Sequence, residues 1–234
     1  MNLFDKCLGM LYPQTCCFCG KVSRNPICKE CEEKITYIQE PICKKCGKPI
    51  RYEEKEYCGD CADADLHYEQ GRSIWLHSGN VRWSIYQYKY HNRRIYGRFY
   101  AQELFRLYAD WIQKWKIDVI IPIPLHHRRQ RKRGYNQAEL VARHLGKLTH
   151  IRVDTKSVIR VHHTKPQKEL SQKERQKNLK TAFRVTKRWK AGQNVLLIDD
   201  IYTTGSTINS VAKVLKEKGA HKVFFLTISI GQGF

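Results

Sequence analysis

Two neighbouring carboxylates and a hydroxyl-rich segment lie close together near the end of this sequence of 234 residues. Asp199 and Asp200 directly follow the apolar run Val195–Ile198. Five small residues come shortly after them: Thr203, Thr204, Gly205, Ser206 and Thr207. Hydroxyls and free N–H groups at the start of a helix bind phosphate, and a glycine lets the backbone approach the anion closely. Carboxylates repel phosphate, so the two acids suit sugar hydroxyls or a divalent cation beside the phosphate.

The same stretch predicts a strand, a turn and a helix in that order. Val195–Ile198 is a short continuous apolar run, as expected for a strand buried on both faces of a parallel sheet. A helical pattern of apolar residues begins at Ile208. The sequence contains neither a Walker loop nor a dinucleotide-binding fingerprint. The alternative to a phosphate site is an ordinary strand, acidic turn and helix.

Eight of the ten cysteines form four C-x-x-C pairs that predict zinc binding. Two such pairs complete one tetrahedral Zn²⁺ site, so eight thiolates predict two structural zinc ions. The pairs can combine in sequence order or in a cross-braced way, first with third, and Cys7 and Cys17 are left over. The predicted ligands are Cys16, Cys19, Cys28, Cys31, Cys43, Cys46, Cys58 and Cys61.

A disulfide framework is the alternative interpretation of these cysteines. Disulfides are rare in cytosolic proteins, and the N-terminal residues resemble no secretory signal. The sequence also has no apolar stretch near the ~20 residues that a membrane span needs. We therefore expect a cytoplasmic protein with no membrane span, whose cysteines bind zinc.

The net charge of +21 is unevenly distributed along the chain. Residues 126–190 carry 20 Lys or Arg side chains and only 4 Asp or Glu. A positive field of this density favours a polyanionic partner, and a merely solvated basic surface is the alternative. The candidate contacts to single-stranded DNA are Arg128, Arg129, Arg131, Lys132 and Arg133, with Tyr135 as a weaker candidate for base stacking.

The remaining periodicities place these residues in an α/β domain. Strands and helices alternate after the cysteine region, which predicts a three-layer domain with a mostly parallel sheet. The basic run is expected to form a loop after the strand Asp118–Leu125, where ligands of open α/β sheets bind. The other predicted strands are Ser73–His77, Ser157–Arg160, Ala182–Val185 and Val223–Ile230, and the predicted helices are Gly79–Tyr90, Phe99–Trp115 and Ala138–Leu148.

Two families share these motifs. The stretch Val195–Thr207 resembles the signature of type I phosphoribosyltransferases, which bind phosphoribosyl pyrophosphate (PRPP). The four cysteine pairs, the P-I-P-L strand and R-G-Y-N-Q-A together resemble the ComF family of competence-associated proteins, although Tyr135 stands where that family commonly has Phe. A T-x-x-Q…L…R-x-x-N pattern also matches, at Thr164, Gln167, Leu170, Arg175 and Asn178.

The resemblance implies a double zinc ribbon over residues 1–65 and a type I phosphoribosyltransferase-like domain over residues 71–234. It further implies PRPP binding with Mg²⁺ by Asp199, Asp200 and Thr203–Thr207, and a basic hood over the pyrophosphate at Val161–Lys180. Members of the ComF family act in natural transformation on the cytoplasmic side of the membrane. DNA-uptake proteins are therefore the expected partners, and association with the inner face of the membrane would occur through them.

Two functions are compatible with these motifs. One is the handling of incoming single-stranded DNA, with PRPP binding retained. The other is an active phosphoribosyltransferase of nucleotide salvage, which transfers the sugar phosphate of PRPP to a nucleobase. The twenty basic side chains exceed what one pyrophosphate can contact, and the sequence reveals no pocket for a base. We therefore favour DNA handling, with catalysis left open.

Overall fold

The computed structural model describes residues 14–52, 54–161 and 182–231 of the chain. Its strands are β1 (Gln70–Leu76), β2 (Val119–Pro122), β3 (Arg152–Val153), β4 (Val158–Arg160), β5 (Phe183–Val185), β6 (Asn194–Tyr202) and β7 (Lys222–Ile230). Five of them form one sheet in the order β1-β7-β6-β2-β3, and all neighbouring strands in it are parallel. Strands β4 and β5 form a separate antiparallel pair.

Helices cover both faces of the five-stranded sheet. The helices of the described residues are α1 (Lys29–Lys34), α2 (Gly59–Ala62), α3 (Gly79–Tyr90), α4 (Tyr96–Lys114), α5 (His127–Arg133), α6 (Gln137–Thr149) and α7 (Ser206–Glu217). Successive side chains of a strand point to opposite faces. Leu196 and Ile198 accordingly pack with α3, α4 and α6, whereas Val195 and Leu197 pack with α7, β4 and β5. We call these two sides the α4 face and the α7 face.

This architecture confirms the predicted three-layer α/β fold with a mostly parallel sheet. The helix predicted at Phe99–Trp115 is present as α4, and it starts earlier than expected. Its aromatic and aliphatic side chains lie in or against the core of the α4 face. Among the described residues, no helix combines the length and the apolar character that a membrane span requires.

Two predictions about secondary structure are wrong. Ala182–Val185 does not complete the main sheet, because Phe183–Val185 pairs with Val158–Arg160 instead. Each of these short strands buries one residue fully, whereas a central parallel strand is buried on both faces. The basic run is also not a loop, since His127–Arg133 forms helix α5. Arginine and lysine are good helix formers, but a helix without apolar residues leaves no periodic signal.

Two boundaries near the acidic pair also differ from expectation. Strand β6 continues beyond the acids as far as Tyr202, because its pairing with β7 extends to Ile230. Helix α7 begins at Ser206, earlier than the apolar pattern that starts at Ile208. Apart from Val161, the predicted hood lies outside the described residues, and so do the matched positions Thr164, Gln167, Leu170, Arg175 and Asn178.

Candidate functional site

The cysteine pairs assemble in sequence order into two separate groups. Within each group, the four Sγ atoms lie within 4.8 Å of one another. The distance from Cys19 Sγ to Cys28 Sγ is 3.7 Å, and that from Cys46 Sγ to Cys58 Sγ is also 3.7 Å. Tetrahedral zinc with Zn–S bonds of ~2.3 Å places its sulfurs ~3.8 Å apart. The groups are Cys16, Cys19, Cys28 and Cys31, and Cys43, Cys46, Cys58 and Cys61.

Both groups have surroundings that suit a zinc thiolate centre. The backbone N–H groups of Phe18 and Cys28 donate to Cys16 Sγ, each at 3.4 Å. In the second ribbon, Lys48 is only 3% exposed and its Nζ lies 2.5 Å from Asp60 Oδ2. Its positive charge partly offsets that of the nearby thiolates, which in turn favour the charged amine. The ligand sets therefore fit two structural Zn²⁺ ions, which stabilise ribbons too small to fold by apolar burial alone.

Cys17 lies outside both ligand sets. Its side chain is buried beside the first group. Burial and the neighbouring Cys16 raise the pKa of the Cys17 thiol to about 12. Its Sγ atom belongs to neither group of four mutually close thiols, so Cys17 remains left over, as in the sequence. Cys7 lies outside the described residues.

The hydroxyl-rich segment forms the turn between β6 and α7. Thr203 and Thr204 are exposed, and Gly205 adopts a left-handed conformation with φ 72° just before the helix. The first N–H groups of a helix have no partner within it, so those of α7 are available to an anion. Thr204 Oγ1 and Ser206 Oγ lie 2.7 Å apart at the same end of the helix. Asp199 and residues 201–208 line a small open hollow at this turn.

The sheet separates the two carboxylates. Asp199 lines the hollow at the turn, where burial and the adjacent Asp200 raise its pKa to about 7. Asp200 instead forms an ion pair with Lys89 of α3, with a distance of 2.8 Å between Nζ and Oδ1. Adjacent residues of a strand point to opposite faces, so the acids do not act as one clamp here. Asp199 is the acid placed beside the hydroxyl-rich turn.

A pair of buried tyrosines supports the turn from below. Tyr202 stacks on Phe225 with ring centroids 4.9 Å apart, and its hydroxyl lies 2.8 Å from that of Tyr68. A Cβ at Gly205 would come within 2.3 Å of the Tyr202 hydroxyl oxygen. Glycine is therefore required both by the backbone conformation and by the close contact with this ring.

Helix α5 brings the predicted DNA contacts to the same edge of the sheet. It follows β2, which neighbours β6, so both segments leave the carboxyl ends of adjacent strands. Burial and the charge of Arg129 on α5 lower the pKa of Arg160 in β4 to about 10, while the charge of Asp199 acts in the opposite direction. Arg128, Arg131 and Lys132 are exposed, whereas Arg129 and Arg133 are half-buried.

The structure does not support Tyr135 as a base-stacking residue. Its side chain is 6% exposed, its hydroxyl donates to the backbone oxygen of Tyr88, and Arg94 lies 4.9 Å above its ring. Sequence reasoning missed this burial because Tyr135 follows a highly polar run. It also missed Lys89, whose contact with Asp200 depends on the tertiary fold.

The fold and site define the class of the protein. A zinc-binding N-terminal region precedes a parallel α/β domain with a hydroxyl-rich turn before α7. The family model for the double zinc ribbon domain matches residues 7–62, and the model for the phosphoribosyl transferase domain matches residues 94–229. The chain therefore combines a double zinc ribbon with a phosphoribosyltransferase-like domain.

Similar proteins identify the family more closely. Competence protein ComFC of Bacillus subtilis is 30% identical over 210 residues, covering 87% of this chain and 72% of that protein. Competence protein F of Haemophilus influenzae is 38% identical over 144 residues, covering 59% of this chain and 63% of its own length. DNA utilization protein YhgH of Escherichia coli is 40% identical over 106 residues, which are 45% of this chain and 46% of YhgH. The chain belongs to the ComF family.

Proposed function

We propose that this ComF-family protein binds PRPP at the turn before α7 and single-stranded DNA along α5, and handles incoming DNA during natural transformation. The observation that carries the proposal is the position of α5: it carries five Lys or Arg side chains and follows β2, so it lies at the same edge of the sheet as the hydroxyl-rich turn after β6. The names of the similar proteins, which refer to competence and DNA utilization, agree with this assignment. In this role the protein acts in the cytoplasm, with DNA-uptake proteins as its partners.

At the PRPP site, the proposed roles follow from position. Thr203–Thr207 and the N-terminus of α7 bind the 5′-phosphate. Asp199, which lines the hollow, faces the ribose hydroxyls directly or through Mg²⁺. Asp200 takes part only after it exchanges Lys89 for the sugar or the cation. Mg²⁺ would neutralise the pyrophosphate charge when bound.

An active phosphoribosyltransferase is the second candidate. The turn and its two acids lie within residues 94–229, which match the family model for the phosphoribosyl transferase domain. Catalysis needs groups that receive the leaving pyrophosphate and a pocket that orients a base. Helix α5 and Arg160 offer cations for the first requirement. No described group of side chains forms a recognisable base pocket, so we rank this candidate second.

Titrations of one preparation with PRPP and with single-stranded DNA test the proposal. We expect both ligands to bind, and DNA affinity to fall steeply with salt, with a slope of about −0.7 per phosphate contact. The double substitution of Asp199→Ala and Asp200→Ala should abolish PRPP binding in a folded protein. A parent protein that consumes PRPP with a base but binds no DNA would support the salvage enzyme instead.

A charge-reversal variant locates the DNA site. We expect Arg128→Glu, Arg131→Glu and Lys132→Glu together to lower DNA affinity and to flatten the salt dependence, while PRPP binding persists. These three side chains are exposed, whereas Arg129 is half-buried. A matched control reverses the charge at three other exposed positions, Lys213, Lys218 and Lys222. Lys213 lies on α7, Lys218 directly follows that helix, and Lys222 begins β7 at the end of the sheet opposite the turn. Equal losses in the two variants would contradict a site on α5.

A further inference from the structure

Helix α3 carries a row of exposed aromatic side chains that the proposed function does not use. Trp83, Tyr86 and Tyr90 are 37%, 51% and 52% exposed, respectively. Residues three and four apart lie on the same side of a helix, so these three form one stripe. The opposite side of α3 is buried through Val81 and Ile85. We call Trp83, Tyr86 and Tyr90 the aromatic stripe.

The two tyrosine rings of the aromatic stripe form a continuous surface with the ring of His91. The centroids of Tyr86 and Tyr90 are 5.0 Å apart, and the His91 ring lies 5.4 Å from that of Tyr86. Exposed aromatic rings that pack mainly on one another contribute little to the core. Their surface remains open to a ligand with flat apolar faces.

Basic side chains lie at the α5 end of the stripe. The sequence has no Asp or Glu between Gly71 and Gln102. The guanidinium of Arg133, at the end of α5, lies 5.0 Å above the Tyr90 ring and donates to its hydroxyl at 3.2 Å. The stripe is therefore continuous with the basic helix α5. The positive charge of this combined surface would repel a basic protein partner and attract a polyanion.

We propose that the aromatic stripe is a base-stacking track for single-stranded nucleic acid, along which bases stack on Tyr86 and Tyr90 while Arg133 and its neighbours on α5 contact the phosphates. Proteins that bind single strands without sequence preference combine these two features, a positively charged groove and aromatic rings. The assignment rests on the proposed DNA-binding function and deepens it, because it names the residues that contact the bases. In this proposal the bases stack on α3 and not on Tyr135, which is buried.

The test compares an oligo(dT) with an abasic oligomer of the same length, which keeps the phosphates but has no bases. We expect Tyr86→Ala with Tyr90→Ala to weaken oligo(dT) binding by at least about 5-fold, since each stacked base contributes a factor of roughly 5 to 150. Abasic binding and the salt slope should change little, because the phosphate contacts remain. Tyr86→Phe with Tyr90→Phe, which keeps the rings, should bind oligo(dT) like the parent.

Tyr52→Ala provides a matched control. Tyr52 lies in the second zinc ribbon, is 59% exposed, and has Lys55 Nζ at 6.0 Å from its ring centre. It therefore resembles Tyr90 in exposure and in its cationic neighbour but lies outside the stripe. We expect no change in oligo(dT) binding for this variant. A loss as large as that of the double Ala variant would overturn the proposal.

Photocrosslinking locates the bases directly. A single strand containing 5-iododeoxyuridine, irradiated in complex with the full chain, should form adducts at Trp83, Tyr86 or Tyr90. Crosslinks found only at other residues would overturn the proposal, as would an unchanged oligo(dT) affinity in the double Ala variant. The exposed rings would then be better explained as a binding surface for a protein partner. If charge reversal on α5 still weakens binding in that case, the proposed DNA-binding function survives. If the parent binds neither oligomer, both fail.

Discussion

The two zinc ribbons have the same kind of ligand set but pack on opposite faces of one sheet. The thiols of the first ribbon share an apolar cluster with Trp75, Phe99 and the α4 face. Those of the second ribbon share a cluster with Tyr68, Tyr202 and the α7 face. Two similar metal-stabilised units can therefore support different parts of one site.

The first ribbon supports the helix that carries the aromatic stripe. Phe18 packs edge-on against Trp75, with ring centroids 5.2 Å apart. Asn80 Nδ2 donates to Cys31 Sγ at 3.6 Å, and a Cβ at Gly20 would lie 3.2 Å from the Trp83 ring. These contacts hold the start of α3 against the zinc site, so we expect ribbon folding and stripe geometry to be coupled.

The second ribbon supports the hydroxyl-rich turn at which we propose PRPP binding. Tyr68, which follows this ribbon in the sequence, contacts Tyr202 under Gly205. Asn209 of α7 donates to the backbone oxygen of Asp65 at 2.9 Å and accepts a hydrogen bond from the backbone N–H of His67 at 2.7 Å. The connecting segment is therefore fixed to the helix whose N-terminus is proposed to bind phosphate.

Loss of one zinc ligand should have the largest effect and should separate the two faces. We expect Cys16→Ser and Cys43→Ser each to lose one of two zinc ions, because binding of structural zinc supplies about 10–16 kcal/mol of apparent folding energy in isolated zinc peptides. Cys43→Ser should weaken PRPP binding more, and Cys16→Ser should weaken single-strand binding more. Elemental analysis and the two titrations measure these effects.

Cys17→Ser is the control for the zinc variants, because it removes a buried thiol outside the ligand sets. It should retain both ions. A parent protein with fewer than two zinc ions and with disulfides would contradict the two-site assignment. If Cys16→Ser and Cys43→Ser lowered PRPP affinity equally and single-strand affinity equally, the proposal that each ribbon supports a different face would be contradicted.

Substitution of Gly205 should damage the α7 face alone. In Gly205→Ala the new methyl group meets the Tyr202 hydroxyl, and the left-handed backbone adds strain of about 1 kcal/mol or more. We expect PRPP affinity to fall at least about tenfold and single-strand binding to persist. Gly192→Ala is the matched control, since Gly192 has φ +82° but open space around its Cβ position. Equal losses of PRPP affinity would mean that Tyr202 does not shape the turn.

The two acids provide a test by pH. The pKa of Asp199 rises from 3.8 to about 7 in the folded protein, so between these values the folded state keeps a proton that the unfolded chain has lost. The free energy of unfolding therefore falls as pH rises through this window, and the penalty persists above it. Asp199→Asn should remove this slope and raise stability at pH 8 by about 1–3 kcal/mol.

Asp200→Asn should have the opposite effect at pH 8, because it leaves the half-buried Lys89 without its ion-pair partner. A loss of about 1–3 kcal/mol is expected. Denaturant unfolding between pH 4 and pH 8 measures both variants. A stability change of the same sign in both would contradict the placement of the acids on different faces.

The sequence predicted those parts of the site that local spacing determines. C-x-x-C spacing identified all eight zinc ligands, although it did not determine how the pairs combine. The apolar run Val195–Ile198 and the residues Thr203–Thr207 identified the strand and the turn before α7, because both are contiguous. The type I signature and the ComF motifs added the family, which the comparisons confirm.

The remaining features depend on contacts between distant residues. The pairing of Lys89 with Asp200 and the contact of Tyr68 with Tyr202 join segments that only the fold brings together. Helix α5 escaped detection because it buries no residue. The stripe on α3 was missed because an aromatic residue at helical spacing is equally compatible with a core, and only the observed exposure distinguishes the two.

The smallest expected effect comes from two buried hydroxyls, one on each face. Tyr68→Phe removes the hydroxyl that contacts Tyr202, and Tyr100→Phe removes the one that lies 2.5 Å from Ser84 Oγ of α3. Each should lower the free energy of unfolding by about 1 kcal/mol, the usual net contribution of one hydrogen bond. Because Tyr202 lies directly under Gly205, Tyr68→Phe should also weaken PRPP binding by a small factor. Tyr100→Phe serves as its control and should leave PRPP binding unchanged, so an equal change in both variants would show that the second ribbon does not support the turn through this contact.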